Sequence, residues 1–271
     1  MRSGPLGSGK ILFGVAGWSY PDWKDVVYPR NCKDTLRAVA QRVPLIEINN
    51  TFYRPPSAKN CQSWVDRTAD LGTHFTAKLP QEFTHTRQFD EALVAQVRDG
   101  FAPMCASGRM VGLLAQFNHE FPFTAGAIEY VARLARAFGA DAPLFVEVRH
   151  RTWNAQPALD ALRGLGVGVL ALDYPGMVGG FSRDVTGVHA SGVAYFRLHG
   201  RNRAWFRRGA GRDEVYDWLY SESEVQQIGE RLRRIEADSA RTIVVANNHF
   251  QGKAMKLIED LAAWYRSRQR S

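Results

Sequence analysis

The sequence is poor in cysteine and has no long hydrophobic run. Its three cysteines, Cys32, Cys61 and Cys105, are scattered through 271 residues and show neither C-x-x-C spacing nor the density of a disulfide framework. No apolar run approaches the ~20 residues of a membrane-spanning helix. The apolar segment ILFGVAGW is short, interrupted by glycine and unlike a signal peptide. We therefore expect a cytoplasmic protein without a membrane partner.

Compact motifs for nucleotides and metals are missing as well. The segment GLGVGV at 164–169 does not match G-x-G-x-x-G, and the sequence contains neither a P-loop pattern nor H-E-x-x-H. No linker, repeat or low-complexity segment divides the chain, so we expect residues 10–271 to form a single domain. Residues 1–9 contain GPLGS, which resembles the remnant of a cleavable expression tag, and they are left out of the fold prediction.

The composition is that of an ordinary globular protein with an excess of positive charge. Hydrophobic residues make up 45% of the chain and charged residues 23%, which is enough for a sizeable core. The formal net charge is +8. A basic chain favours polyanionic or phosphate-bearing partners, so we expect an anionic small molecule or a nucleic acid. The sequence identifies no protein partner.

Short runs rich in valine, isoleucine, leucine and phenylalanine alternate with stretches of helical periodicity. The helical stretches include AGAIEYVARLARAFG, which ends at Gly139, and SESEVQQIGERLRRIEA, where Ser221 and Glu224 match a capping box. Eight strand–helix units favour an α/β (β/α)8 TIM-barrel-like domain with parallel strands over an open doubly wound sheet. The predicted strands are 11–16, 44–49, 74–79, 111–117, 144–149, 167–173, 193–199 and 242–247.

Charged residues in these strands are predicted to point into the barrel. Side chains of a barrel strand alternate between the interior and the helix layer, and the helix layer has to be apolar. Ile46 and Ile48 suit the helix layer, so Glu47 faces the interior, and the same test applies to the other strands. The side chains predicted to face inward are Glu47, Asn49, Thr76, Lys78, Gln116, Glu147, Arg149, Asp173, Arg197, His199 and Asn247.

All of these residues lie near the carboxyl ends of their strands, which is the face where such barrels build their active sites. Buried charges are costly unless they are paired or used, so the cluster favours a functional site. A closed network of ion pairs that only stiffens the barrel is the alternative.

Several motifs occur in an order that resembles a known family. They are GVAGWSY (14–20), EINNTFY (47–53), FTAKLPQEFTH (75–85), LLAQF (113–117), VEVRHRTW (146–153), YFRLHGRN (195–202), YDWLYSESEV (216–225) and NNHFQGKA (247–254). Together they resemble the YecE-like family, domain of unknown function 72. The resemblance implies a TIM-barrel-like fold and carries no established general activity. Asn50 replaces a serine of the family pattern, and Val148 replaces an aromatic residue.

Two further sets of residues, a basic loop and an aromatic rim, are predicted to contribute to a site at the mouth of the barrel. The loop after the seventh predicted strand carries Arg201, Arg203, Arg207, Arg208 and Arg212 around Trp205 and Phe206. Guanidinium groups bind phosphate or carboxylate, and aromatic rings offer stacking faces for a base or sugar. The residues predicted to form an aromatic rim are Trp18, Tyr20, Trp23, Phe52, Tyr53 and Trp153.

The leading hypothesis is a hydrolase-like or lyase-like enzyme that acts on an anionic, phosphate- or nucleotide-bearing substrate. Its predicted catalytic residues are Glu47, Lys78, Glu147 and His199. Its predicted substrate-binding residues are Asn49, Tyr53, Arg149, Trp153, Asp173, Arg197, Arg201, Trp205 and Asn247.

Two other functions stay open. One is a glycosidase-like hydrolase that uses Glu47 and Glu147 as paired carboxylates. The other is a nucleic-acid-binding protein without catalysis, which would use the basic loop and the rim. No cofactor is expected. A divalent metal is the less favoured alternative, because three cations would oppose it; its ligands would come from Glu47, Glu147, Asp173, His199 and His249.

Overall fold

Parallel strands form one continuous sheet in the computed structural model, which describes residues 10–176 and 180–269. The predicted tag remnant at residues 1–9 lies outside the described residues. Neighbouring strands pair in the order β6-β5-β4-β3-β2-β1-β9-β8-β7. The strands are β1 (Ile11–Ala16), β2 (Leu45–Ile48), β3 (His74–Lys78), β4 (Met110–Gln116), β5 (Leu144–Glu147), β6 (Gly168–Val169), β7 (Ala171–Asp173), β8 (Val193–Leu198) and β9 (Arg241–Ala246).

The sheet curls into a nearly closed barrel. The two end strands of the sheet, β6 and β7, are consecutive in sequence and separated only by Leu170. β6 pairs with β5, whereas β7 pairs with β8. The eight predicted strands and the TIM-barrel-like fold are therefore confirmed, with the sixth strand divided in two. The division coincides with Val169, which exchanges two backbone hydrogen bonds of 2.9 Å with Val188.

Helices cover the outside of the barrel. The longer helices bury an apolar face against the barrel; in α4 the buried residues include Val131, Leu134 and Phe138. α4 ends before Gly139 as predicted, and the predicted capping box of Ser221 and Glu224 is present. The helices are α1 (Thr35–Ala40), α2 (Ala58–Arg67), α3 (Glu91–Ala106), α4 (Ala125–Phe138), α5 (Gln156–Gly164), α6 (Arg212–Val215), α7 (Glu222–Ala237) and α8 (Lys253–Gln269).

One unit departs from the regular alternation of strand and helix. Between β7 and β8, residues 174–176 and 180–192 contain no helix. Instead, this segment returns along the sheet, where Val188 meets Val169 and Gly180 meets His150 in antiparallel bridges. Across the described ranges, none of the helices has the length and apolar character that crossing a membrane would require.

The strand register tests which side chains share the barrel interior. Glu47 is aligned with Thr76, and Gln116 is aligned with Glu147, which confirms the predicted parity of these strands. On the divided strand the prediction was wrong. Arg197 is aligned with Leu172, so Leu172 shares the interior and the adjacent Asp173 faces the helix layer.

Candidate active site

A buried guanidinium group joins opposite sides of the barrel. Arg197 on β8 donates a hydrogen bond of 2.7 Å to Oε1 of Glu47 on β2. Its other terminal nitrogen donates to Oε2 of Glu147 on β5. All three side chains are 0% exposed. The predicted convergence of Glu47, Glu147 and Arg197 is therefore present, and it takes the form of a cross-barrel ion-pair network.

Further side chains extend this network from each of its two carboxylates. Arg149, whose side chain is 12% exposed, lies toward the opening and donates to Oε1 of Glu147. Tyr195 donates to Oε2 of Glu47, and its hydroxyl is 2.9 Å from that of Thr76. Tyr195 was not among the predicted interior residues, although its separation of two residues from Arg197 gives it the same parity.

The network fixes the protonation state of Glu147. Burial alone would raise the pKa of this carboxyl group. Arg149, Arg197 and His199 outweigh that effect and hold the pKa well below its ordinary value of 4.5. Glu147 is therefore an ionised acceptor near neutral pH and a poor proton donor.

His199 is held as a neutral imidazole. Burial lowers its pKa to about 3, and the nearby charge of Glu147 only partly opposes this. The side-chain nitrogen of Asn247 is 3.1 Å from Nδ1, and Oε1 of Glu147 is 3.3 Å from Nε2. These partners assign the proton to Nε2. His199 is consequently a weak base at neutral pH, and its predicted catalytic role stays a prediction.

Lys78 differs from the other interior charges because its amine is unpaired. Among residues 10–176 and 180–269, no hydrogen bond or salt bridge involves its Nζ atom, which lies 5.8 Å from the centre of the Phe52 ring. The side chain is partly exposed. Burial and the positive charge of Arg197 lower its pKa to about 8, while Glu47 and Glu147 act in the opposite direction.

Asp173 and Arg201 form a second cluster next to the interior rather than within it. Arg201 donates two hydrogen bonds, of 2.9 and 3.0 Å, to the carboxylate of Asp173. Asp173 also accepts a hydrogen bond of 2.8 Å from Tyr220, and Arg201 is 3.2 Å from Glu224 on α7. Asp173 and Arg201, both predicted to bind substrate, therefore already form an ion pair with each other. Asp173 faces the start of α7 instead of the barrel interior.

Aromatic side chains cover one side of the opening. Arg149 lies over the ring of Trp205 at 4.8 Å, and Trp205 makes an edge contact with His199. Tyr216 lies between Trp205 and His249, at 5.7 and 4.8 Å. Within the described ranges, the buried indole nitrogen of Trp205 has no hydrogen-bond partner. Trp205 therefore packs against Arg149 and His199, and its predicted contact with a substrate stays a prediction.

Two of the aromatic residues predicted for the rim lie in the protein interior. Trp153 is 0% exposed; its indole donates to the backbone oxygen of Phe121, and the two rings stack. Trp23 is also fully buried and donates to the backbone oxygen of His249. The rim prediction was wrong for both, because each loop folds back and satisfies its indole internally.

Of the other four rim residues, Trp18, Tyr20 and Tyr53 line a separate cleft beside the mouth, whereas Phe52 packs beside Lys78. The cleft has a volume of about 450 Å³ and lies between the loops that follow β1 and β2. Tyr53 is 70% exposed, and Asn49 contributes a buried oxygen that lacks a hydrogen-bond partner within the described residues. The cleft is lined by Gly17, Trp18, Ser19, Tyr20, Pro21, Asn49, Asn50 and Tyr53.

The three carboxylates considered as metal ligands are engaged in ion pairs. Glu47 and Glu147 bind Arg197, and Asp173 binds Arg201. No group of three or more histidine, cysteine, aspartate or glutamate side chains within 10–176 and 180–269 has the arrangement of a metal site.

Sequence and structure comparisons agree on the relatives of this chain. The UPF0759 protein YunF of Bacillus subtilis (strain 168) is 25% identical over 260 residues, which cover 90% of each chain. A crystal structure of a DUF72 family protein from Thermotoga maritima is 28% identical, with a TM-score of 0.81 over 97% of this chain and 100% of the other. A DUF72 family protein from Enterococcus faecalis, 19% identical, shares the fold with a TM-score of 0.82 over 94% and 95%.

The family match extends over almost the whole chain. The family described as "Protein of unknown function DUF72" matches residues 12–271, which include all strand residues of the barrel except Ile11 and every residue of the ion-pair network. The similarity inferred from the motifs is thereby confirmed. The chain belongs to the DUF72 family.

Proposed function

We propose that this protein is an enzyme of hydrolase or lyase type that acts on a small phosphate-bearing anion at the mouth of the barrel. Lys78 and Arg149 hold the anion, and Lys78 also transfers the proton. The observation that carries the proposal is the unpaired amine of Lys78 beside the Glu47–Arg197–Glu147 ion pairs.

The charge balance of the interior supports an anionic ligand. Lys78, Arg149 and Arg197 are cations, whereas Glu47 and Glu147 are the carboxylates of the network. His199 is neutral near pH 7 because its pKa is about 3. Three positive charges against two negative charges leave one positive charge unmatched. An anion at Lys78 would neutralise it without displacing an existing ion pair.

Arg149 is the second cation that faces the opening. It retains 12% exposure and rests on the Trp205 ring, an arrangement that suits a guanidinium group in anion recognition. The sequence analysis assigned the anion to Arg197 and Arg201 as well. Arg197 is completely buried, and Arg201 uses Nε and both terminal nitrogens on Asp173 and Glu224. Arg149 binds Glu147 through Nε and one terminal nitrogen, which leaves its other terminal nitrogen without a hydrogen bond among the described residues. We therefore assign the contact to Lys78 and Arg149 instead.

Lys78 is also the interior group best suited to proton transfer. Glu147 stays ionised and His199 stays neutral near pH 7, whereas the pKa of Lys78 is about 8. A phosphate bound beside the amine would favour the ammonium form and raise this pKa. In a hydrolysis, water would form the new bond as the bond to the leaving oxygen breaks, and the Lys78 ammonium would donate its proton to that oxygen. The attacking water would lose a proton to solvent, and the amine would recover one from solvent after product release.

The two alternatives have less support. A glycosidase needs space between its carboxyl groups for the sugar bond, but the Arg197 guanidinium lies between Glu47 and Glu147. For nucleic-acid binding, two arginines of the basic loop already have partners: Arg201 binds Asp173, and Arg207 binds Glu214. The side chain of Arg212 lies outside the described residues.

Replacing Lys78 with methionine is expected to weaken phosphate binding strongly. Titration calorimetry with ribose 5-phosphate should show binding to the wild type and a loss of at least about tenfold in Lys78→Met, because a charge-assisted contact contributes roughly 1.5–3 kcal/mol. Lys59→Met, on the exposed side of α2, is the matched control and should bind like the wild type. Equal binding by Lys78→Met, or no binding by the wild type, would refute the proposal.

The same variant should be more stable than the wild type when no ligand is bound. The folded pKa of Lys78, about 8, lies below its ordinary value of 10.5, so the unfolded state binds more protons between these values. Wild-type stability therefore rises from pH 8 to pH 10.5. Lys78→Met removes this rise and is therefore expected to be more stable than the wild type at pH 7. Urea unfolding of both proteins at pH 7 and pH 10.5 would measure the difference. A Lys78→Met variant that is less stable than the wild type at pH 7 would contradict the inference that the buried charge of Lys78 destabilises the folded state.

A further inference from the structure

We propose that the cleft between the loops after β1 and β2 binds a nucleobase, so that the substrate at the mouth is a nucleotide. The phosphate part of this statement rests on the proposed function, whereas the base-binding part rests on the cleft alone. The cleft holds about 450 Å³, which is within the usual range for small-ligand sites.

The walls of the cleft are aromatic rings held in place by neighbouring rings. Trp18 makes an edge contact with Trp64 at 5.2 Å, and Tyr53 makes one with Phe52 at the same distance. Tyr20 stacks on His249 at 4.4 Å. Rings fixed in this way offer a flat apolar face at little cost in conformational entropy. Tyr53 is 70% exposed, so its ring is accessible to a ligand.

The backbone at the base of the cleft is also specific. Gly17 has a φ of +76°, and a Cβ atom there would lie 2.4 Å from the Tyr20 hydroxyl. That hydroxyl donates a hydrogen bond of 2.7 Å to the backbone oxygen of Ala16. Glycine at this position therefore permits both the left-handed conformation and the close approach of Tyr20.

The polar groups of the cleft match the edge of a base. Its polar side chains are Ser19, Asn49, Asn50 and two tyrosines, and none of its lining residues is charged. Oδ1 of Asn49 is buried without a hydrogen-bond partner among the described residues. An N–H group from a ligand would satisfy that oxygen, and a planar ring with N–H donors is the chemistry of a nucleobase.

The position of the cleft connects it with the phosphate site. Asn49 directly follows the end of β2, two residues after Glu47. Tyr53 is adjacent to Phe52, whose ring is 5.8 Å from the Nζ atom of Lys78. A single loop, residues 49–53, thus contributes to the cleft on one side and contacts the phosphate-binding lysine on the other. A base and a phosphate separated by a ribose would engage both.

Calorimetry with three kinds of probe would test this inference. The probes are the four nucleoside 5′-monophosphates, ribose 5-phosphate and the free nucleosides. The best monophosphate should bind the wild type about tenfold more tightly than ribose 5-phosphate, since one stacked base contributes roughly 1–3 kcal/mol. Tyr53→Ala should remove most of that preference while ribose 5-phosphate binding is unchanged. Leu219→Ala, an exposed apolar residue after α6, is the control and should keep the preference.

The outcomes separate the two proposals. Binding of a free nucleoside with no binding of ribose 5-phosphate would support the base site and overturn the phosphate site. Equal binding of all monophosphates and ribose 5-phosphate, with no nucleoside binding, would overturn the base site alone. A Tyr53→Ala variant with an undiminished preference would also overturn it, and no binding of any probe would overturn both.

Discussion

Arg197→Met is expected to lower the free energy of unfolding by about 3–5 kcal/mol, because removing one member of a buried ion-pair network leaves its partners uncompensated. The variant would place Glu47 and Glu147 in the interior without the guanidinium group that neutralises both. One carboxyl group would then take up a proton, so its folded pKa would rise above the unfolded value. The stability loss should therefore be larger at pH 8 than at pH 5.

Urea unfolding followed by circular dichroism at the two pH values would measure this effect. Arg207→Met is the matched control, because Arg207 pairs with Glu214 on the surface and its side chain is 63% exposed. Surface pairs contribute roughly 0–1 kcal/mol, so this control should remain close to the wild type at both pH values. An Arg197→Met variant that differs from the wild type by less than the control would show that the network adds nothing to stability.

Acid is expected to destabilise the wild type strongly between pH 6.5 and pH 3, and His199→Gln should reduce this effect. The folded pKa of His199 is about 3, below its ordinary value of 6.5. The unfolded state therefore binds more protons in this interval, and stability falls as the pH is lowered. For this buried imidazole, the difference corresponds to roughly 5 kcal/mol. Glu147, whose pKa is also lowered, adds to the loss below pH 4.5.

The measurement is the slope of the unfolding free energy against pH, rather than stability at one pH. His199→Gln loses contacts and is expected to be less stable at pH 7, but its slope between pH 6.5 and pH 4.5 should be shallower. His119→Gln, at an exposed position, is the control and should keep the wild-type slope. An unchanged slope in His199→Gln would mean that His199 titrates normally in the folded state.

Strand parity predicted the interior of the site because charged residues cannot face an apolar helix layer. For that reason Glu47, Glu147 and Arg197 were identified without knowledge of their partners. The rule failed for Asp173, since the divided strand carries Leu172 into the interior and leaves Asp173 against the start of α7. The sequence contains no clear signal for this division, because it depends on the backbone pairing of Val169 with Val188, a residue of an irregular segment.

The contacts of loop residues could not be predicted from the periodicity of the sequence. Trp153 was predicted at the rim, yet its indole reaches the backbone oxygen of Phe121, 32 residues away. The pairing of Arg201 with Asp173 likewise joins residues 28 positions apart. Such contacts depend on how loops meet after the barrel has formed, so the sequence indicated which residue types surround the mouth but not which of them are free to bind.

The cross-barrel network also has a consequence for the order of folding. Arg197 lies 150 residues from Glu47 and 50 residues from Glu147 in sequence, so the three meet only after the early, middle and late parts of the chain have come together. Until then each charge stays hydrated, and the network is expected to form after the rate-limiting barrier. Arg197→Met should accordingly speed unfolding while leaving the folding rate nearly unchanged, which stopped-flow measurements in urea would detect. Arg197 would thus stabilise the barrel mainly by slowing its unfolding.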